Sequence, residues 1–227
     1  MNRMFYDCES VTTLDVSKFD TRNVTNMASM FKGCMAVTVL DVSAFDTSNV
    51  TSMEGMFNEC ENLTFIDVSK FDTHKVTDMY RMFRRCYALT SLDVSHFDTR
   101  NVTNMAKLFW NCESIAELDV SNFVTDKVTD MRGMFHGCSV PSLNLSNFNT
   151  ANVTDMEEMF SWSELTFLDI SHFDTHNVTN MKSMFEGCFS IATIDISGFD
   201  TSNVTDMAKM FSQCRSLTSI DVSSFNM

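Results

Sequence analysis

Apolar and polar positions along this chain follow two rhythms and then start again. Val37, Leu40, Val42 and Phe45 are spaced 3, 2 and 3, which puts Leu40 and Val42 on one face of a short extended segment. Side chains alternate along a strand, so Asp41 and Ser43 project from the opposite face into water. A turn through Asp46, Thr47 and Asn49 follows. The apolar spacing then changes to Val50, Met53, Met56 and Phe57, at intervals of 3, 3 and 1, which predicts a short helix. Asn49 and Thr51 are its candidate caps, because their side-chain oxygens can accept from first-turn amides.

The whole phrase repeats. The slot of Leu14 returns at Leu40, Ile66, Leu92, Leu118, Leu143, Leu168, Ile194 and Ile220, in steps of 26 residues except for two consecutive steps of 25. Residues 1–13 form a partial repeat, 14–219 eight full repeats, and 220–227 a second partial one. Such a period predicts a solenoid. One unit cannot bury its Leu, Val, Phe, Met and Cys alone, whereas stacked units share one core with strands about 4.8 Å apart. Each strand follows a full coil and runs the same way. The expected fold class is therefore an α/β solenoid, leucine-rich-repeat-like, with a parallel β-sheet on one face and short helices on the other; a helix-free parallel β-solenoid is the alternative.

With 1 proline and 6 glycines there is little material for linkers, so residues 1–227 are expected to form a single repeat domain without a hinge. The 25-residue units, which include Pro141 and Trp162, are expected to tighten the connection after the helix and leave strand register intact.

The pattern V-x-x-L-x-V-x-x-F resembles the L-x-x-L-x-L-x-x-N of leucine-rich repeats, with Phe45 and its equivalents in the Asn slot. The longer phrase L-D-V-S-x-F-D-T-x-N-V-T-x-M-x-x-M-F-x-x-C more closely resembles the 26-residue repeat of bacterial surface proteins, the BspA type, found in large cell-wall proteins and mollicute lipoproteins. The resemblance runs over residues 1–227. It implies an extracellular or cell-surface location and an interaction role, with no catalytic residues to carry over.

A net charge of -14 argues against nucleic acid and anionic membrane, and favours a basic protein partner. There is no apolar run long enough to span a bilayer and no basic segment followed by an apolar stretch at the start. Since residue 1 already lies in the Met27 phase, export and anchoring segments have been removed or the chain is one piece of a larger protein.

Cys8, Cys34, Cys60, Cys86, Cys112, Cys138, Cys188 and Cys214 all occupy one repeat slot, which Ser163 takes in the sixth repeat. They read as a ladder of reduced, buried thiols and not as disulfide pairs. None has the C-x-x-C or neighbouring His company that zinc needs, and neither a metal nor another cofactor is expected.

The leading candidate for binding is the row Asp15, Asp41, Asp67, Asp93, Asp119, Asp169, Asp195 and Asp221, interrupted by Asn144 and flanked by serines from Ser17 to Ser223. Neighbouring carboxylates about 5 Å apart repel by roughly 0.8 kcal/mol even in water, so something must offset the row. Serine hydroxyls, water and counterions are one answer; a basic partner docked on the strip is the other. A flat row supplies calcium poorly, since that ion takes several oxygens around one point. Beside the strip the residue before each strand varies, and Phe65 and Phe167 there are candidate aromatic anchors.

Thr47, Thr51 and their equivalents are expected to satisfy backbone groups between coils. The paired methionines belong to the core. The five histidines, His74, His96, His136, His172 and His176, form no ligand cluster, and no phosphate loop, G-x-S-x-G or H-E-x-x-H occurs. Two readings of function remain. One is a non-enzymatic extracellular module for protein recognition or cell adhesion through the acidic sheet face. The other is a structural subunit: Met227 falls in the Thr21 phase and Met1 in the Met27 phase, so copies stacked end to end would resume the pattern and build a filament or stalk.

Overall fold

The computed structural model describes residues 1–226; Met227, the end of the trailing partial repeat, lies outside them. Equivalent residues of successive coils lie above one another. Strand β1 (Val39–Leu40) pairs in parallel with β2 (Phe65–Ile66), Val39 opposite Phe65 and Leu40 opposite Ile66. A second parallel column of bridges runs Asn26, Ser52, Asp78, Asn104, Asp130, Asp155, Asn180, Asp206. It passes through both 25-residue units without losing register, and Ser142 still pairs with Phe167 beyond Pro141.

The expected helices do not form: the described residues contain no helix, and the strands are short. Over Met53–Leu63 the chain advances by turns closed three residues back, Met56 N–H to Met53 O at 3.1 Å, Cys60 to Phe57 at 3.1 Å and Leu63 to Cys60 at 3.2 Å. Every second amide instead donates to the following coil, Met53 to Asp78 O, Gly55 to Tyr80 O, Phe57 to Met82 O and Glu59 to Arg84 O, at 2.7–3.0 Å. Gly55 and Glu59 take positive φ, 56° and 63°, which a right-handed helix cannot contain. Three-residue turns return Met53, Met56, Phe57 and Cys60 to one side just as a helix would, so the apolar intervals do not separate the two structures. A segment this short is a marginal helix on its own, whereas lateral hydrogen bonds are renewed at every coil.

With no helix there is nothing to cap. Asn49 Nδ2 donates to Arg22 O at 2.9 Å and Thr51 Oγ1 to Thr25 O at 3.1 Å, both in the preceding coil. Thr47 lies between coils, its hydroxyl donating to Asp72 O at 3.0 Å and accepting from Asp72 N–H at 2.7 Å. Threonines thus satisfy backbone groups, as their position in the repeat suggested.

The core is a set of columns. Phe31, Phe57, Phe83, Phe109, Phe135, Phe160, Phe185 and Phe211 stack in succession, with ring centroids 5.5–6.0 Å apart. Leu40, Val42 and Met53 are buried with them. The cysteine slot forms a third column, and from Cys34 to Cys214 each Sγ–H is directed at a phenylalanine carbonyl of the preceding coil, as in Cys86 to Phe57 O at 3.3 Å. All eight thiols are free, and six are buried.

Candidate functional site

Alternation along the strand segment brings the predicted acidic row to the surface. Asp15, Asp41, Asp67, Asp93, Asp119, Asp169, Asp195 and Asp221 are all exposed, while Leu40 and Val42 point inward. Each carboxylate accepts the amide of the serine two residues on, at 2.9–3.2 Å. At Asp15, Asp93, Asp169 and Asp195 the serine hydroxyl also donates, at 2.6–2.8 Å. These serine contacts, the hydroxyl first and the amide second, hold all eight carboxyls below the usual range. Repulsion from Asp67 raises Asp41 only slightly against that effect. The cost of lining up like charges is therefore offset within each coil.

Phe65 is 52% exposed and Phe167 65% exposed, and each walls a shallow depression on this face. The first, about 430 Å³, joins Phe65 to Asp67, Asp93 and Glu117. The second, about 480 Å³, joins Phe167 to Asn144, Asp169 and His172. The two predicted anchors thus sit beside the predicted carboxylates. Asp15, Asp41, Asp119, Asp195 and Asp221 line neither depression.

A second surface escaped the sequence reading because it lies in the segment expected to be helix. Arg81 and Lys107 are equivalent positions of adjacent coils, as are Arg84 and Trp110, and Arg85 and Asn111. Lateral hydrogen bonds hold those coils together, Arg81 N–H to Ala106 O at 3.0 Å and Arg85 N–H to Trp110 O at 2.7 Å. Glu59 Oε1 lies 2.7 Å from Arg84 Nη1 and 3.5 Å from Arg85 Nη1. Arg81 instead lies 4.5 Å over the Tyr80 ring, and Lys107 4.4 Å over Trp110. The Nε atoms of Arg81, Arg84 and Arg85 are buried without a hydrogen-bond partner. Burial first, and then Arg81, push the Lys107 ammonium down; burial and then Arg85 do the same to Arg84. The run R-M-F-R-R was the available signal.

The same columns continue into a polar groove of about 520 Å³ lined by Asn111, Glu113, His136, Gly137, Ser139, Trp162 and Glu164. Trp162 is 44% exposed there and meets Phe189 edge-on at 5.4 Å. His136 stacks on Trp110 at 3.6 Å and contacts Ser161 Oγ at 2.5 Å. Burial, reinforced by Lys107 and Arg84, pushes its pKa down to about 4. Among the described residues no three His, Cys, Asp or Glu side chains are grouped to hold a metal ion, and no helix is long and apolar enough to cross a membrane.

Stacked coils with columns of exposed side chains define the class: a repeat solenoid presenting extended surfaces. The chain belongs to the family described as "Mycoplasma protein of unknown function, DUF285", whose model matches residues 1–117, 86–168 and 162–227. No curated protein matches it. Among solved structures it is similar to one titled "Functional domain of InlJ from Listeria monocytogenes includes a cysteine ladder", at 20% identity and a TM-score of 0.47, over 94% of this chain and 49% of that one. The chain thus spans about half the length of that structure.

Proposed function

We propose that this chain is a non-enzymatic recognition module of a cell-surface protein and that it binds a basic protein segment along the aspartate column. Repeat solenoids commonly use extended surfaces for binding, and membership of the mycoplasmal family is in keeping with that reading. The observation that carries it is the depression where Phe65 adjoins Asp67 and Asp93. A lysine or arginine there lays its aliphatic stem on the ring and its charged head between two carboxylates. The Phe167 depression offers the ring with a single carboxylate, Asp169, beside Asn144 and His172.

The test is calorimetric titration with a lysine-rich peptide. D67K/D93K is expected to abolish binding and F65A to weaken it several-fold, with the salt dependence of a charge-driven contact. Unchanged binding by D67K/D93K would remove the acidic face as the contact surface. Surface location is checked separately by protease accessibility on intact cells.

The second reading, end-to-end association into a filament, would set Met207, Phe211, Val222 and Phe225 against the first coil of another copy. Light scattering showing mass that grows with concentration, and a monomer for F211E, is the result this reading expects.

A further inference from the structure

Five cations, Arg81, Arg84, Arg85, Lys107 and Arg132, lie on adjoining coils of a chain whose net charge is -14. Arg132 is neutralised by Asp130 at 2.7 Å, and Arg84 by Glu59 at 2.7 Å. Arg81 and Lys107 make no ion pair within 4 Å among the described residues, and Arg85 only shares the Glu59 oxygen at 3.5 Å. The positive φ of Arg81, Arg85 and Lys107 belongs to the fold, since the same slots take it in other coils with Ser29, Glu59, Glu158 and Trp162. Three cations are thus close together on adjoining coils, with Glu59 shared at 3.5 Å by Arg85 and Glu158 acting on Lys107 only from beyond ion-pair distance.

The neighbouring groove has the complementary chemistry. Trp162 lies flat over Gly187, where a Cβ would approach its ring to 2.7 Å, and is left partly open to solvent. Around it Glu113, Glu164, Asn111, Ser139 and His136 supply acceptors for hydroxyl groups. Arg85 and Asn111 are adjacent in one column that continues through Gly137 to Trp162, so cations and groove are joined. The indole is about three coil steps, roughly 15 Å, from Arg85.

We propose that this surface binds an acidic oligosaccharide, with a sulfate or carboxylate held by Arg81, Arg85 and Lys107 and an uncharged ring of the same chain laid on Trp162. Guanidinium groups match such oxyanions in two-pronged geometry. Glu113 and Glu164 accept from sugar hydroxyls and repel any ligand charged along its whole length, which disfavours nucleic acid and an anionic bilayer. The cationic strip is two coils wide, enough for one anionic group and not for a continuous polyanion. The site is independent of the aspartate column.

Calorimetry with lacto-N-tetraose carrying one terminal sialic acid or one terminal sulfate, uncharged lacto-N-tetraose, inorganic sulfate and phosphatidylglycerol vesicles tests this. Saturable binding of at least one singly charged oligosaccharide is expected, the sulfated or the sialylated one binding more tightly according to which anion is the anchor, and the uncharged form binding at least about tenfold more weakly. R81A/K107A is expected to weaken it by about tenfold or more, and R81Q/K107Q, which keeps the side-chain bulk, to do the same. W162A should weaken it several-fold, and D67K/D93K should leave it unchanged. Binding that both double variants retain, the uncharged form bound as tightly as the charged ones, inorganic sulfate bound as tightly as the charged oligosaccharides, or vesicles bound in preference to them would each overturn the proposal.

Discussion

One hydroxyl of Thr47 serves both backbone groups of Asp72 in the next coil, accepting from its N–H at 2.7 Å and donating to its C=O at 3.0 Å. The same exchange recurs from Thr73 to Asp98 and from Thr150 to Asp174. T47V keeps the shape and leaves two buried backbone groups unpaired, so it is expected to lower unfolding free energy by about 2 kcal/mol. Urea denaturation followed by circular dichroism measures it. A loss below about 0.5 kcal/mol would mean the hydroxyl does not bridge the coils.

Burial pushes the cysteine thiols up, Cys34 to about 11 and Cys86, Cys138 and Cys188 to about 12. A thiol is reactive as thiolate. In native protein a disulfide reagent is therefore expected to modify only the half-buried Cys8 and Cys214, and to reach the other six after unfolding. Rapid native modification of more than two would contradict the ladder.

His136 loses affinity for protons on folding, from an ordinary 6.5 to about 4. The unfolded chain then binds the proton more readily, so this histidine's contribution to stability is complete above pH 6.5, declines as pH falls, and is gone below 4. H136Q is expected to make the decline between pH 7 and 4.5 shallower, measured by chemical denaturation at the two values. Asp78 and Asp155, raised by burial, act in the opposite sense and are common to both proteins, so the difference isolates the histidine.

Gly187 has φ of 73° and a Cβ there would stand 2.7 Å from the Trp162 ring. G187A is expected to cost about 2 kcal/mol and to shift Trp162 emission, because the indole must lift off the coil. Thermal unfolding and fluorescence check both. Unaltered emission would show that the ring does not rest there.

The parallel stack, the inward Leu40 and Val42, the outward Asp41 and the cysteine ladder were all legible in the sequence, since each depends on a residue's place in a period. Phe65 and Phe167 were recognisable as exposed for the same reason. The turn segment was misread because Met53, Met56 and Phe57 satisfy helix and three-residue-turn spacing alike, and only the positive φ at Gly55 and Glu59 separates them. The basic surface was hidden behind that error: on a helix, Arg81, Arg84 and Arg85 would be ordinary solvated side chains.

What the sequence determined by itself is the columns, because a constant repeat length forces equivalent residues above one another whatever the path of each coil. The tertiary structure decided that path. Amides free to bond within the segment or across to the next coil went across, since a lateral bond is repeated by every neighbour while a turn of helix is not. The pairing of Glu59 with Arg84, which stand in different slots of the repeat, and the positive φ at Arg81, Arg85 and Lys107 followed from that choice.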